Sequence, residues 1–340
     1  MVETYLVTGG AGFIGSHFVK RLLKSRKNIK VINVDLLTYA GGIDNLEEIY
    51  SDPRHIFVKG DVRDAKLMNQ LVERADYVIH FAAETHVDRS ILFAGTFVLT
   101  DVFGTYVVLE AARRAGKIRK FLHISTDEVY GSIEKGRFDE SSPLNPSSPY
   151  AASKAGADRL AYAFYKTYGL PVIIARPSNN FGPHQHPEKA IPLFITNAID
   201  DLPIPLYGTG DNVRDWLYVE DDVDALLLLL EKGEPGQVYN IAASNEVKNI
   251  DLAKMILDYL GKPHSLISFV KDRPGHDYRY SMSWDKIKAL GWSPKWKFEE
   301  ALEKTVKWYL ENEKWWRKRK ESKEFREYYN KNYFGKEGLN

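Results

Sequence analysis

The stretch Thr4–Thr8 (TYLVT) runs directly into Gly9–Gly15 (GGAGFIG), and a helical pattern follows it. Glycines at positions 9, 12 and 15 allow a tight turn and a close approach of the backbone to a bound group. The start of the following helix adds N–H groups and the positive end of the helix dipole. Strand, glycine-rich turn and helix in this order predict the first unit of a doubly wound α/β fold, with a turn that holds a pyrophosphate.

Outward from this turn, the first half of the chain alternates short apolar runs with amphipathic stretches. The predicted strands are Thr4–Thr8, Lys30–Asp35, His55–Gly60, Tyr77–Phe81, Lys120–Ser125 and Pro171–Arg176. The predicted helices are Phe13–Lys24, Asp64–Glu73, Phe97–Ala115 and Tyr150–Tyr168. This alternation predicts a Rossmann-type, doubly wound parallel sheet with helices on both faces and ligands at the carboxyl edge of the strands.

Beyond Arg176 the alternation loosens, and proline and glycine become denser. We therefore predict a dinucleotide-binding domain at residues 1–176 and a smaller α/β domain, mainly for substrate, at residues 177–340. A strand near residues 236–242 is expected to return to the large sheet. The last thirty residues mix basic, acidic and aromatic side chains, a pattern that predicts a charged, partly packed helix.

The composition of the 340 residues is that of a globular protein, with 44% hydrophobic and 27% charged residues. Lys plus Arg number 47 and Asp plus Glu 46, so the net charge of +1 gives no argument for nucleic acid or a membrane surface. The absence of cysteine excludes disulfides, cysteine nucleophiles and thiolate metal sites, and fits a reducing cytoplasm. No apolar run approaches the roughly 20 residues of a membrane helix, so we expect a cytoplasmic protein.

Two aspartates follow predicted strands at the ligand edge. Asp35 ends the second strand, twenty residues past Gly15. A carboxylate there accepts hydrogen bonds from ribose hydroxyls and repels a 2′-phosphate, which favours NAD over NADP. Asp61, just past the third strand, is expected to receive the adenine amino group. Taken alone, either aspartate could equally cap a helix or a turn, but the glycine pattern favours the cofactor.

Tyr150 and Lys154 lie four residues apart at the start of a predicted helix and therefore share a face. A free tyrosine has a pKa of about 10 and is a poor base. An ammonium group and a positive nicotinamide ring beside Tyr150 would stabilise the phenolate, so that it takes a hydroxyl proton while hydride leaves the carbon. Packing explains such a pair more often than catalysis does, but the glycine turn and the hydroxyls of Ser125 and Thr126 favour catalysis.

Asp127 and Glu128 directly follow Thr126. Two adjacent acids at the ligand edge suggest a division of work, in which one is protonated and donates while the other is ionised and accepts. The alternative is that Asp127 caps the next turn and Glu128 is solvated. Their position after the hydroxyl of Thr126 favours the catalytic interpretation.

Taken together, these motifs resemble the extended short-chain dehydrogenase/reductase family, and within it the nucleotide-sugar 4,6-dehydratases, most closely those acting on dTDP-glucose. The matching stretches are Thr8–Ser16, Ala82–Ser90, Ser125–Gly131, Ser148–Asp158, Arg176–Pro192, Arg214–Asp221 and Asp272–Asp277. The Thr-Asp-Glu triplet is the discriminating one, because related 4-epimerases have small or hydroxyl residues after the threonine position. Thr85, Asp101 and Ala190 depart from the family's usual serine, asparagine and leucine, which bears on substrate preference.

The resemblance implies a reaction that begins and ends with a hydride. Hydride leaves C4 of the glucose to NAD while Tyr150, supported by Lys154, takes the C4 hydroxyl proton. Glu128 then removes the C5 proton, Asp127 protonates the C6 hydroxyl, and water leaves. Hydride returns to C6, which gives the 4-keto-6-deoxy sugar of deoxysugar biosynthesis. Thr126 would hydrogen-bond the C4 oxygen.

The resemblance also implies the binding residues. Cofactor contacts are expected from Gly9, Gly12, Phe13, Ile14, Gly15, Asp35, Leu36, Thr38, Asp61, Val62, Phe81, Ala82, Ala83, Thr100, Tyr150, Lys154 and Asn180. Substrate contacts are expected from Thr85, Thr126, Asn179, Lys189, Ala190, Pro205, Tyr207, Arg214, Asn249, Arg273 and His276. The cations Lys189, Arg214 and Arg273 would face the diphosphate, and Pro205–Tyr207 would lie along the base. Arg214 could instead form an ion pair with the neighbouring Asp215. No metal is expected, since His184, His186 and Glu188 lie in a proline-rich loop and the family uses none.

Several alternatives stay open. A UDP-, CDP- or GDP-sugar 4,6-dehydratase is the first, and a 4-epimerase is disfavoured by the acid pair. A non-enzymatic NAD-binding regulator is disfavoured because Tyr150, Lys154, Asp127 and Glu128 are all present. The expected partners are a nucleotide sugar and, by resemblance, a second copy of the chain docked through the helices Phe97–Ala115 and Tyr150–Tyr168, with no nucleic acid and no membrane.

Overall fold

The computed structural model of this protein describes residues 2–334. The strands are β1 Glu3–Thr8, β2 Ile29–Asp35, β3 His55–Lys59, β4 Tyr77–His80, β5 Lys120–Ile124, β6 Val172–Pro177, β7 Asn179–Phe181, β8 Ile204–Tyr207, β9 Val213–Tyr218, β10 Val238–Ile241, β11 Glu246–Lys248 and β12 Ile267–Val270. The α-helices are α1 Phe13–Ser25, α2 Ala65–Val72, α3 Val87–Leu92, α4 Ala94–Phe97, α5 Thr105–Ala115, α6 Pro149–Tyr168, α7 Ala190–Ile199, α8 Val219–Lys232, α9 Asn249–Leu260, α10 Asp285–Ala289, α11 Phe298–Glu311, α12 Glu313–Lys320 and α13 Lys323–Tyr329. The 3₁₀ turns are Ile43–Ile49, Asp127–Tyr130 and His264–Leu266, and the π-helical turns are Val98–Gly104 and Asn330–Phe334.

Seven of these strands form one parallel sheet in the order β10-β6-β5-β4-β1-β2-β3. In the register, Thr8 at the end of β1 lies opposite Val34 of β2 and His80 of β4. The loops after these strands therefore emerge side by side at one edge, where ligands bind in such folds. The predicted doubly wound fold is confirmed.

The sheet is buried on both faces, as a parallel sheet requires. Tyr5 and Val7 point to one hydrophobic core and Leu6, between them, to the other. Because side chains alternate along a strand, the unbroken apolar run of β1 serves both layers. Helices α1 and α8 cover one face, whereas α2, α5 and α6 cover the other.

Helix α6 begins and ends for local reasons. The Ser148 hydroxyl oxygen accepts a hydrogen bond from the Ala151 backbone N–H at 3.1 Å, and Pro149 occupies the first helical position. At the other end, Gly169 takes φ 69°, the left-handed conformation that terminates a helix. These signals fix the helix that carries Tyr150 and Lys154 in its first two turns.

The second half of the chain builds two small sheets, β11-β9-β7 and β12-β8, packed with α7, α9 and α11. Strand β10 leaves this region and pairs in parallel with β6, with Tyr239 opposite Ala175. The chain thus returns to the large sheet, while the division at residue 176 stays a prediction.

The predicted helix Phe97–Ala115 contains an irregularity, because residues 98–104 form a π-helical turn. Inside it, the buried Asp101 accepts hydrogen bonds from the Ser153 hydroxyl at 2.6 Å and the Glu84 backbone N–H at 2.7 Å. A carboxylate drawn into the core by these donors accounts for the departure from α-helical geometry. The run Ala94–Ala115 is long and apolar enough to cross a membrane by length and composition alone, but its inner residues, such as Val108, belong to the core under the sheet.

The C-terminal region also differs from the single helix predicted for the last thirty residues. Helix α12 ends before Ser322, whose hydroxyl oxygen accepts from the Phe325 N–H at 3.2 Å and so caps a new helix, α13. Each of the two short helices buries aromatic side chains, Trp316 in α12 and Phe325 and Tyr328 in α13. Residues 335–340 of the predicted helix lie outside the described residues.

Candidate active site

One cavity of about 550 Å³ lies at the carboxyl edge of the large sheet, between this sheet and the second half of the chain. Its volume is typical of a site for a cofactor or a small substrate. Every residue predicted above to bind cofactor or substrate lines it, and so do Thr126, Asp127 and Glu128. The structure thus brings all the predicted residues to one place, whereas the role of each residue stays a prediction.

The glycine turn fits a phosphate-bearing dinucleotide. Gly9 has φ 72°, and a Cβ there would stand 2.6 Å from the Ala82 backbone nitrogen. A Cβ at Gly15 would stand 2.3 Å from the Gly9 carbonyl oxygen. Helix α1 then begins at Phe13 with no side-chain cap on its first N–H groups. A turn that excludes side chains at positions 9 and 15 and ends on a helix N-terminus suits a pyrophosphate.

Asp35 ties the end of β2 to this turn. Its two carboxylate oxygens accept from the Leu37 N–H at 2.8 Å and the Ala11 N–H at 2.9 Å. Burial raises the pKa of Asp35, and these two N–H groups oppose the rise. A carboxylate offers about four acceptor positions, so the remaining two are available to ribose hydroxyls.

Asp61 has a partner that sequence reasoning missed. Arg63 donates to it from Nε and from Nη2, the latter at 2.5 Å, and this hydrogen bonding lowers the pKa of Asp61. The carboxylate predicted for the adenine amino group is therefore held by an arginine two residues further along, at the rim of the same cavity. An Asp-x-Arg spacing is too common to have signalled this pair.

The first turns of α6 bring Tyr150 to the end of β5. Burial raises the pKa of Tyr150 well above its usual value, and the carboxylates of Glu128 and Asp101 raise it further, while a hydrogen bond with Thr126 lowers it. Lys154 donates from Nζ to the Ile124 carbonyl oxygen at 2.6 Å. Its ammonium group is thus anchored on the strand end, and the protein's own groups favour a neutral phenol.

The acid pair occupies the 3₁₀ turn that follows β5. Thr126 caps this turn: its hydroxyl oxygen accepts from the Glu128 N–H at 3.3 Å, and its hydroxyl donates to Asp127 Oδ1 at 3.0 Å. Asp127 is 2% exposed, and its Oδ2 has no hydrogen-bond partner among residues 2–334. Thr126, and not Asp127, is the cap of this turn, and Glu128 is partly buried against the cavity, so the alternative in which Asp127 caps and Glu128 is solvated is wrong.

The two acids differ in their surroundings. Burial and then the neighbouring Glu128 raise the pKa of Asp127 well above its usual range. The pKa of Glu128 is also raised, chiefly by burial, but the cations Arg273, Arg214 and Lys189 oppose the rise. Only Glu128 thus has several cations beside it, whereas Asp127 has a second carboxylate as its strongest neighbour, a difference that suits the division between a base and an acid.

Cations occupy the cavity next to Glu128. Arg214 donates to three backbone carbonyls, Val213 O at 2.8 Å, Asp277 O at 2.9 Å and Tyr278 O at 3.3 Å. Across the described residues Arg214 forms no ion pair with Asp215, whose carboxylate instead accepts the backbone N–H groups of Ser244 and Asn245. The alternative of an internal pair is thus wrong, and the guanidinium charge is not neutralised by a carboxylate. Carbonyl acceptors hold the group while its charge still acts on the cavity.

The sequence profile of the family described as GDP-mannose 4,6 dehydratase matches residues 6–305. A dTDP-glucose 4,6-dehydratase of Actinoplanes sp. is 50% identical over 317 residues, which cover 92% of this chain and 99% of that protein. The Low-salt glycan biosynthesis protein Agl12 of Haloferax volcanii is 52% identical over 305 residues, which cover 90% of this chain and 98% of that protein.

The crystal structure of DesIV, a dTDP-glucose 4,6-dehydratase from Streptomyces venezuelae with NAD bound, superposes with a TM-score of 0.92. It shares 50% sequence identity over 93% of this chain and 99% of its own. The chain belongs to the dTDP-glucose 4,6-dehydratase family. The resemblance drawn from the sequence motifs is confirmed.

Family membership does not account for every residue of the cavity. Tyr280 donates to Asp277 at 2.7 Å and reaches Glu128 at 3.5 Å, the edge of hydrogen-bonding distance. Asp88, within the stretch Ala82–Ser90 that resembles the family, binds Arg273 at 2.9 Å. Tyr333 lines the cavity from the charged C-terminal region, where no sequence pattern signalled a site.

The histidine-containing loop after β7 lines the cavity and is braced by an ion pair with α3. Glu188 pairs with Arg89 at 2.8 Å, and His186 stands 3.9 Å from Glu188. Within the described part of the chain, no group of three His, Asp or Glu side chains is arranged to hold a metal ion.

Proposed function

We propose that this protein is an NAD-dependent hydro-lyase that converts dTDP-glucose to dTDP-4-keto-6-deoxyglucose. The observation that carries the proposal is the buried Asp127 beside Glu128, in the same cavity as Tyr150 and the glycine turn. The names of the relatives and of the DesIV structure point to the same reaction.

The chemistry explains why these groups belong together. Removal of water from C6 of an unoxidised hexose would require loss of an unactivated C5 proton. Oxidation at C4 makes this proton acidic, since the resulting carbonyl stabilises the carbanion. A redox pair and an acid–base pair must therefore act on one sugar ring in one pocket, which is the combination present here.

The glycine turn and Asp35 would hold NAD. When bound, this cofactor would accept a hydride from C4 and return it to C6, and its oxidised form would place a positive charge beside Tyr150. Tyr150 takes the C4 hydroxyl proton, and Thr126, which hydrogen-bonds Tyr150, also reaches the C4 oxygen. Lys154 contributes a fixed positive charge from its anchor on the strand end.

The acid pair carries the elimination. Glu128 accepts the C5 proton, and the electron pair of the C5–H bond forms a C5–C6 double bond as the C6–O bond breaks. Asp127 donates its proton to the departing C6 hydroxyl, which leaves as water. Glu128 later returns a proton to C5, which completes the 4-keto-6-deoxy sugar.

Lys189, Arg214 and Arg273 are suited to bind the diphosphate. Guanidinium groups bind phosphate oxygens through paired N–H donors and keep their charge when buried. These cations also lower the pKa of Glu128, so the same groups that bind the diphosphate help to keep the C5 base ionised.

The test is incubation of purified protein with dTDP-glucose, without added cofactor, followed by mass spectrometry. Loss of one water with no net NADH would support the proposal. Conversion of UDP-, CDP- or GDP-glucose in place of dTDP-glucose would change the nucleotide assignment, and an unchanged mass with a new sugar isomer would indicate an epimerase. No conversion of any of the four, even with NAD supplied, would contradict the enzymatic function.

We also propose that the enzyme works as a cytoplasmic homodimer. Its support is an exposed apolar strip on the outer side of the predicted dimer helix, where Val98, Leu99, Phe103 and Tyr106 are 43–53% exposed. Contiguous apolar patches of this kind mark protein interfaces. Light scattering that gives a monomer at micromolar concentration would contradict the dimer.

A further inference from the structure

Asp101 is a carboxylate that lies beside helix α6, inside the protein and outside the cavity. It is 1% exposed and belongs to the π-helical turn of residues 98–104. Its neighbour Thr100 lines the cavity, whereas among the described residues Asp101 does not. Its two donors, the Ser153 hydroxyl and the Glu84 backbone N–H, are uncharged, although an aspartate is rarely fully buried without a cationic partner. Any effect of this carboxylate on the reaction must therefore pass through its neighbours.

Ser153 connects Asp101 to the first turn of α6, between Tyr150 and Lys154. Its hydroxyl oxygen lies 2.6 Å from Asp101 Oδ2 and 2.8 Å from the Tyr150 carbonyl oxygen. A hydroxyl has one proton and cannot donate to both acceptors at once. An ionised Asp101 takes this proton in its shorter hydrogen bond, whereas a protonated Asp101 can donate to Ser153, whose hydroxyl then serves the Tyr150 carbonyl. The protonation of Asp101 is thus coupled to the helical turn that carries Tyr150.

Asp101 also acts through its charge, which is felt strongly because the region is buried. Burial lowers the pKa of Lys154, and the charge of Asp101 opposes this, which helps to keep the ammonium group protonated. Burial, Glu128 and then Asp101 raise the pKa of Tyr150, so the same charge opposes the phenolate. Burial raises the pKa of Asp101 itself to about 7, against the pull of Lys154, so its charge changes within the neutral pH range.

The other titratable groups around the π-helical turn come from β4 and from the loop after it. Glu84, in this loop, adds a second negative charge; burial raises its pKa, and Arg89 and Arg63 oppose the rise. His80 of β4 stays neutral because burial lowers its pKa to about 3. In the described part of the chain, Asp101 is the one of the two carboxylates that accepts a hydrogen bond from α6.

We propose that Asp101 is a positioning residue for the Tyr150–Lys154 pair, and that its ionisation competes with formation of the Tyr150 phenolate during oxidation at C4. The proposal rests on the proposed function, since it concerns the base of the hydride step. Two sites that compete for one negative charge titrate over a wider range than one site does. The rate of the hydride step should therefore rise with pH over more than the width of a single titration, with a midpoint above that of Tyr150 alone.

The test measures the initial rate of NADH formation against pH after rapid mixing of the NAD-loaded enzyme with dTDP-6-deoxyglucose. This sugar has no C6 hydroxyl to lose, so the reaction stops after the hydride step. Asp101→Asn removes the charge but can still accept from the Glu84 N–H and donate to Ser153. Its profile should follow a single titration with a midpoint about one pH unit below that of the wild type. Asp224→Asn removes the same charge from α8, where Asp224 pairs with Arg21 and Lys295, and should keep the wild-type profile.

An infrared titration follows the same carboxyl without substrate. The band of a protonated carboxyl should disappear from the wild-type spectrum as the pH rises through about 7 and should be missing from Asp101→Asn. A wild type without this band, or equal midpoints and widths of the rate profiles in wild type and Asp101→Asn, overturns the proposal.

Ser153→Ala decides the question if Asp101→Asn does not fold. Loss of the hydroxyl donor favours a neutral Asp101, so the midpoint of the rate profile should again fall, and an unchanged midpoint overturns the proposal. A wild type that forms no NADH from dTDP-6-deoxyglucose and converts none of the dTDP-, UDP-, CDP- and GDP-glucoses would instead overturn the proposed function. Because the infrared titration needs no substrate, the two failures are distinguishable.

Discussion

Replacement of Asp127 by Asn isolates the elimination step. Asparagine has the same shape and still accepts the Thr126 hydroxyl, which donates to Oδ1 at 3.0 Å. Because burial favours a neutral Asp127, the change removes no buried charge, and we expect the stability to change by about 1 kcal/mol or less. The loss of an acidic proton should slow water elimination by a factor of about 10² to 10⁴, or about 3 to 5 kcal/mol of transition-state stabilisation.

Hydride transfer from C4 does not require Asp127. The variant should therefore form NADH in the presence of dTDP-glucose, and this NADH should accumulate because its hydride has no C6 acceptor. The assay follows NADH absorbance after rapid mixing, together with the mass of the quenched sugar. We expect an early rise to nearly one NADH per active site. The mass of the quenched sugar should fall by no more than the two hydrogens lost on oxidation at C4, with no loss of water.

Glu128→Gln is the informative comparison. Both variants should accumulate NADH, but only Asp127→Asn keeps the base that removes the C5 proton. In deuterated water, Asp127→Asn should therefore exchange the C5 hydrogen of the bound keto sugar, whereas Glu128→Gln should not. Tyr150→Phe, which lacks the base for C4 oxidation, should form almost no NADH.

Two outcomes would refute this reasoning. Normal turnover by Asp127→Asn would show that another group protonates the C6 hydroxyl. Absence of NADH in this variant, with bound NAD and substrate both demonstrated, would show that Asp127 is needed for the first hydride transfer. C5 exchange in Glu128→Gln and not in Asp127→Asn would reverse the two assignments.

The remaining predictions concern the cofactor turn and the core. Gly15→Ala should lower the NAD content of the purified protein at least about tenfold, since its Cβ would stand 2.3 Å from the Gly9 carbonyl oxygen. Gly95→Ala is the control, because a Cβ there meets nothing within 4 Å. Equal NAD content in the two variants would contradict the prediction. Arg176→Ala should lower the free energy of unfolding by about 3 kcal/mol in urea titrations, because the buried Asp158 carboxylate loses the two hydrogen bonds that Arg176 donates at 2.8 and 3.0 Å and keeps only those from Arg159. Burial alone would raise the pKa of Asp158, but the hydrogen bond from Arg176 reverses this and holds it at about 2, below its ordinary 3.8. The pair should therefore stabilise the wild type fully above pH 3.8 and progressively less as the pH falls towards 2; a stability difference between wild type and Arg176→Ala that persists unchanged below pH 2 would refute this assignment.

Much of the fold was predictable because its determinants are local. The six predicted strands of the first half agree with β1–β6 to within one residue at every end. The runs are apolar on both faces and are bounded by glycine or by polar residues, so burial leaves little choice of structure. The acid pair was predictable for the same reason, because a strand end fixes which side chains reach the ligand edge.

The features that were not predictable depend on distant partners. The π-helical turn around Asp101 requires Ser153, fifty-two positions away, and the network of Asp88 requires Asn332, 244 positions away. Neither side chain is unusual in its own sequence neighbourhood. Similarly, the mixture of charges and aromatic rings in the C-terminal region predicts a helix, but only the fold shows that Tyr333 faces the cavity.

The surroundings of Tyr150 suggest how its proton follows the redox cycle of the proposed reaction. Burial, Glu128 and Asp101 all raise its pKa, and Lys154 is held on the Ile124 carbonyl, so the chain alone favours the phenol. A positive charge on the nicotinamide, present only in its oxidised state, would supply the missing stabilisation of the phenolate. In the proposed reaction Tyr150 would take the C4 proton at the start of turnover and release it once hydride has returned to C6. Asp127 gives its own proton to the departing water, so the proton released by Tyr150 has to be passed on to restore Asp127 before the next cycle.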